Sequence, residues 1–433
     1  MTQAVYPVRV SRVHATERRR HPRRHGVKPG GSGRGPWTLD PRDNSLNLLR
    51  LVLALVVLVS HSFPMSGREE PSVAGKHLGT WAVVGFFALS GYLITGSRLR
   101  SDGARYFMAR VARILPGYLV CLVVTGFVFA PIVFAVERGT LDGFLTAPNT
   151  PLNYVFGNAL IKVHDYSVAG TLADAPLPDV WNGSLWTLYY EFLCYVVIGV
   201  AAMIPVVRRK SWPIIAMFAV SVVAQAKVST LTSYAGGNGE FAQFVDLLPY
   251  FLGGAVVYVV KGRCPLRWYL ALPALGVALA VVAWETTWGA QLVAPLFAYA
   301  LLWLASVIPS PQLVQTHDVS YGVYVYAWPV TQMLVLLGSG NHGWQLLVTE
   351  IAVVTLVLAT LSWLLVERPS KDLAFARPPA AHQPAERSIP RPRVAGRDTT
   401  AATGPIRGAV LPLVRVPSGS TQQPVRHAVP MAN

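Results

Sequence analysis

The feature that most limits how this chain can fold is a succession of apolar runs, each about the 17 to 25 residues a helix needs to cross a bilayer. Ten are read. The first five are Leu46 to Phe63, Gly79 to Ser97, Ile114 to Val136, Ser184 to Val206 and Trp212 to Ser229. The others are Glu240 to Val260, Trp268 to Trp284, Gly289 to Ile308, Ser320 to Leu337 and Trp344 to Val366. Only 13% of the 433 residues are charged, about half the roughly 25% of an ordinary soluble domain. The expected fold is all-α: a polytopic integral membrane protein of about ten transmembrane helices.

The charges are segregated. Residues 1–45 and 371–433 are rich in Arg and Pro and flank a membrane domain over 46–370. Residues 16–35, with Arg18, Arg19, Arg20, Arg23 and Arg24, and the Pro-rich tail after Arg377 are expected to be disordered. Such arms suit anionic lipid, at about 1 kcal/mol per basic residue near the surface. Without interleaved aromatics, no nucleic-acid partner is expected.

Three connections, holding Arg98 to Arg113, Arg208 to Lys210 and Lys261 to Arg267, all fall on the side of the basic N-terminal tail. On the other side Arg68, Lys76, Arg138 and Lys162 are offset by acids from Glu69 and Glu70 to Asp179. The positive-inside bias makes both termini cytoplasmic, and the expected location is a bacterial inner membrane. No A-x-A-like cleavage site follows the first run, so that helix is expected to stay in the protein. Cys121, Cys194 and Cys264 have neither disulfide nor zinc-site spacing and read as packing residues, and no metal is expected.

Ionisable groups inside a bilayer are costly and usually mark function. The candidates are Arg50 and His61 on the first run, Glu191 on the fourth, and Arg110 with Arg113 at the start of the third. Arg50 and His61 are eleven residues apart, close to three turns, so they share a face about 16 Å apart along the axis. Glu191 is expected at a depth comparable with His61, where a carboxylate can orient an imidazole as a general base. The plainer alternative is a lone interfacial His bonded to a neighbour. Arg110 and Arg113 lie a turn apart on one face, either as a clasp for cofactor phosphates or as positive-inside anchors.

Ser90 and Gly91, beside Tyr92, are small residues that admit a ligand or a neighbouring backbone. Trp186, Tyr189 and Tyr190 surround Glu191, as an interface belt or as hydroxyls facing a polar cavity. The longest connection, Glu137 to Gly183, is expected outside the cell. It carries Asn149, Asn153, Tyr154, Asn158, His164 and Tyr166, and reads equally as a sugar-binding surface or as a plain lid.

Over nearly all of residues 45–370 the chain resembles the membrane-bound acyltransferase family 3. The family's Arg and His with ten residues between them match Arg50 and His61; its Gly-Phe-Phe-x-Leu-Ser-Gly-Tyr segment matches Gly85 to Tyr92. R-x-x-R-I-x-P matches Arg110, Arg113 and Pro116, and S-L-W-x-L-x-x-E matches Ser184 to Glu191. The late S-Y-x-x-Y element with a following W-P resembles Ser320 to Pro329, adding Tyr321 and Tyr324 as pocket candidates.

The resemblance implies transfer of an acyl group, commonly acetyl, from cytoplasmic acyl-CoA to a hydroxyl of a glycan, glycolipid or secondary metabolite. It makes His61 catalytic and Arg50, Arg110, Arg113 and Glu191 functional. Many members carry a His shortly before the W-P step, where this chain has Ala327. The expected layout has the three arginines holding the donor from the cytoplasm, with His61, oriented by Glu191, acting on an outer acceptor. The rival class is a glycan or lipid transporter or flippase, which inverted repeats with paired broken helices would favour; the sequence shows none.

Overall fold

The computed structural model describes Leu39 and residues 44–375. The expected disordered tails lie outside the described residues. Helix α1 spans Leu46–Met65 and leads to a two-strand hairpin, β1 Ser72–Val73 and β2 Lys76–His77, before α2, Leu78–Arg100. Helix α3 runs Gly103–Arg138 through a π-helical stretch at Thr125–Phe129. The Asp102 carboxylate caps its start by accepting from the Arg105 amide at 2.8 Å. It therefore begins eleven residues before the apolar run at Ile114, because a cap and not hydropathy sets a helix start.

After a short helix α4, Pro151–Asn158, come α5, Trp186–Ala201, and α6, Trp212–Ala226, which bends by 81° into Val228–Tyr234. Helix α7 is Gly239–Val260 and α8 is Trp268–Trp284. The run from Gly289 is split into Gly289–Leu292 and α9, Ala294–Val307, with Pro295 in the first turn of α9. Helix α10 is Ser320–Leu336 and α11 is Trp344–Ala374, which includes a second π-helical stretch. The described chain is mostly helix. Five of these helices are long and apolar enough to cross a membrane, six if the bent pair forms one span; α5, α8 and α9 are shorter apolar helices. This is the build of a multi-pass membrane protein.

Helix α2 is the pivot of the bundle, packing on α1, α7 and α9. It meets α7 almost backbone to backbone. A side-chain carbon on Gly91 would lie 1.8 Å from the Phe251 carbonyl oxygen, and one on Gly254 would lie 1.9 Å from the Ala88 oxygen. Gly91 is thus a packing residue and not part of a ligand pocket, and Tyr92 turns edge-on to the Tyr258 ring of α7 at 5.4 Å. Gly91→Ala is expected to cost about 3 kcal/mol, because a backbone carbonyl cannot step aside for a methyl group. A thermal-unfolding midpoint in detergent equal to wild type would contradict this. Cys121 and Cys194 are buried as packing residues should be, but Cys264 is exposed, since it sits in the polar connection beyond α7.

Candidate active site

At one end of the bundle the arginines are committed to carboxylates. Asp318, in the connection before α10, places Oδ2 2.5 Å from Arg50 Nη1 and 2.6 Å from Arg113 Nη2. Arg113 Nη1 also reaches Glu367 Oε2 at 3.3 Å, and the Glu367 side chain is 1% exposed. Ser320 Oγ donates to the other Asp318 oxygen at 2.5 Å. Burial works to raise the Asp318 carboxyl, but the Arg113 and Arg50 guanidiniums outweigh it and hold it well below the usual carboxylate range. One acid thereby ties α1, α3 and the start of α10 together.

Sequence reasoning missed both acids. The signal was there in retrospect: Asp318 stands just before Ser320 and Tyr321, and Glu367 closes the last apolar run. Arg110 is differently placed. Its Nε is buried with no acceptor among the described residues, as is the Trp363 indole N–H. Both line a cavity of about 440 Å³ with Arg50, Arg113, Lys371 and Ser90. Three guanidiniums and an amine face one carboxylate, that of Asp318, there, so its lining is net positive.

Deeper in, Arg50 also borders a neck of about 30 Å³ lined by Phe86, Thr187, Glu191, Tyr321 and Tyr324, room for about one or two waters. Glu191 Oε1 accepts from Ser90 Oγ at 2.5 Å and from Tyr195 OH at 2.6 Å. The Tyr324 hydroxyl donates to the Ser184 carbonyl at 2.9 Å, and the Phe86 ring stands edge-on to it at 5.8 Å. Trp186, Tyr189 and Tyr190 point elsewhere: Tyr190 OH donates to Gln243 on α7 at 2.8 Å, and the Tyr189 ring lies 5.9 Å from Lys162 Nζ. They do not line the neck.

His61 lies at the far end, its ring 4.8 Å from that of Trp328. It does not pair with Glu191, and among the described residues no hydrogen bond or ion pair joins the two. The reason is depth. Gly79 of α2 stands beside His61, whereas Ser90, which binds Glu191, is eleven residues further along the same helix, about 16 Å at 1.5 Å per residue. Glu191 is therefore level with Arg50 and borders the same neck. Helix α5 starts deep because the chain before it dips into the bundle, bringing Gly183 onto the Trp328 ring. Irregular backbone is tolerated at such depth when it is packed inside protein. Ala327, also buried, adds only a methyl group beside Trp328.

The connection from Glu137 to Gly183 is a packed structure. The Asn158 amide donates to the Asp165 carbonyl at 2.8 Å and its oxygen accepts the His164 and Asp165 amides at 2.7 and 3.1 Å. Asn149 donates to the Ser167 carbonyl, and Tyr154 accepts from Asn182. These three are spent internally, which leaves Asn153, His164 and Tyr166 for any ligand.

A family profile described as "Acyltransferase domain" matches residues 43–367. An "O-acetyl transferase" of Shigella phage Sf6 is 31% identical over 338 residues, covering 76% of this chain and 96% of that protein. "Nodulation protein 10" of Rhizobium leguminosarum bv. viciae is 26% identical over 371 residues, covering 76% of this chain and 94% of that protein. No solved structure matches.

Proposed function

Since the chain belongs to the membrane acyltransferase family 3, we propose that it moves an acyl group from acyl-CoA to a hydroxyl of an extracytoplasmic glycan or glycolipid. Acetyl is the group favoured, because the relative from Shigella phage Sf6 is named an O-acetyl transferase. The enzyme sits in a bacterial inner membrane with ten spans and both termini in the cytoplasm, so that the basic cavity faces the pool of acyl-CoA.

The observation that carries the proposal is the net-positive cavity in which Arg110 Nε and the Trp363 indole N–H have no acceptor among the described residues. Buried donors without partners are costly, and an anionic ligand supplies acceptors. Arg50 and Arg113 shape this site while bound to Asp318, leaving Arg110 and Lys371 as the cations that meet phosphate. The pantetheine arm then enters the neck past Glu191, whose Oε2 is left to accept an amide N–H. The Phe86 and Tyr324 rings separate for the thioester to reach His61, about 16 Å beyond Arg50. There the acceptor oxygen bonds to the acyl carbon as the carbon–sulfur bond breaks. Its proton passes to His61 and from there to the departing thiolate. A path through an acyl-histidine conserves the same atoms.

The test is acetyl-CoA binding and release of free CoA by the purified protein in lipid. Arg110→Ala is expected to weaken acetyl-CoA binding about 10- to 100-fold, the worth of one or two charge-assisted hydrogen bonds, with kcat little changed. Absence of binding or turnover of any acyl-CoA, with cell-surface glycan supplied, would overturn the reading in favour of a transporter.

A further inference from the structure

We propose that Glu70, in the connection between α1 and the hairpin, is the carboxylate that serves His61. It acts as a positioning residue that holds the imidazolium formed during transfer. This rests on the reading of His61 as proton acceptor.

The neighbourhood is built for it. Ser60, which precedes His61 on α1, donates its hydroxyl to Glu70 Oε1. The same Ser60 oxygen accepts the Gly79 amide at 2.7 Å. A carbon placed on Gly79 would lie 3.2 Å from Ser60 Oγ and 3.5 Å from His61 Cε1. The first turn of α2, the Ser60 hydroxyl and the His61 ring thus meet at one point, with the Glu70 carboxylate one hydrogen bond away.

Glu70 Oε2 stands 3.9 Å from His77 Nδ1, and the Glu70 side chain is 13% exposed. Burying a carboxylate that far needs a cationic or hydrogen-bonded partner. Glu70 is bonded to Ser60, the chain neighbour of His61, His77 stands against Glu70 at the start of α2, and α10 presents the Trp328 ring to His61. Glu191, the acid suggested by the sequence, is about three turns away along α2.

In the step itself Glu70 takes no proton and stays ionised. The acceptor hydroxyl proton moves to His61 as the carbon–oxygen bond forms, and from His61 to the sulfur as the carbon–sulfur bond breaks. The Glu70 charge offsets the transient positive ring where little water screens it, so the stabilisation is larger in the transition state than in the resting enzyme.

The experiment compares Glu70→Gln, Glu70→Asp and the exposed neighbour Glu69→Gln with wild type, in full-length protein with acetyl-CoA and extracted surface glycan. Glu70→Gln is expected to lower kcat about 100-fold, the lower part of what a proton-transfer apparatus contributes, with KM for acetyl-CoA unchanged. Glu70→Asp should recover part of that loss, and Glu69→Gln should match wild type. Wild-type kcat in Glu70→Gln, or Glu70→Asp no better than Glu70→Gln, overturns the proposal, as does a loss spread equally over donor KM and kcat. His61→Ala in parallel separates the two ideas: full transfer in that variant overturns the role of His61, whereas its loss beside an unaffected Glu70→Gln overturns Glu70 alone.

Discussion

His61→Ala is expected to reduce acyl transfer by about a thousandfold or more, in the upper range of what a positioned base supplies, or roughly 4 kcal/mol on the barrier. The ring is half-buried against Trp328 and forms no hydrogen bond or ion pair among the described residues, so its removal leaves the bundle nearly intact. Acetyl-CoA binding should persist, because the cation cavity lies about three turns away on α1. That separation gives the signature: an unchanged donor binding isotherm beside abolished transfer. Transfer at the wild-type rate in folded, membrane-inserted protein would defeat both the direct and the acyl-histidine route.

Asp318→Ala has the largest expected effect on stability, a loss of about 3 to 5 kcal/mol. Asp318 is the shared acceptor of Arg50 and Arg113, whose side chains are 20% and 14% exposed. Among the described residues, removing it leaves Arg50 without a carboxylate and Arg113 with Glu367 alone. Replacement by Asn keeps the shape but not the charge and should be nearly as harmful.

The pH dependence follows from the direction of the shift. The folded pKa of Asp318 is depressed, so its contribution is fully present above the unfolded value near about 3.9 and is lost as pH falls through the folded value. The gap in unfolding midpoint between wild type and Asp318→Asn should therefore hold constant from neutral pH down to about pH 5 and narrow only in stronger acid. A gap that closes near neutral pH, or no gap at all, would mean that the two arginines do not depend on this acid.

Much of the site was legible in the sequence as a set of residues, and much less as a set of contacts. Arg50 and His61 share one helix, so their spacing follows from helical rise alone. Arg110 and Arg113 likewise share a face, yet Arg113 is paired with Asp318 and Glu367 while Arg110 has a buried Nε without an acceptor among the described residues. That difference depends on acids 205 and 254 residues further along the chain, which no local pattern records. The aromatics around Glu191 were visible, but their contacts were not: Tyr190 turns to Gln243 on α7 and Tyr189 to Lys162, so neither borders the neck.

What the sequence determined by itself was the solvent and the building blocks. Long apolar runs with few charges dictate helices in a bilayer, and five ordered motifs dictate the family. What only the tertiary structure decided was relative depth and partnership. Helix periodicity sets angle and height within one helix, but the height of one helix against another depends on where the connecting backbone enters the bundle. The segment ending at Gly183 dips to the Trp328 ring before α5 begins, which lowers Glu191 to the level of Arg50 and away from His61. Hydropathy carries no signal for such a descent, because packed irregular backbone and membrane-surface loops are written in the same polar and small residues.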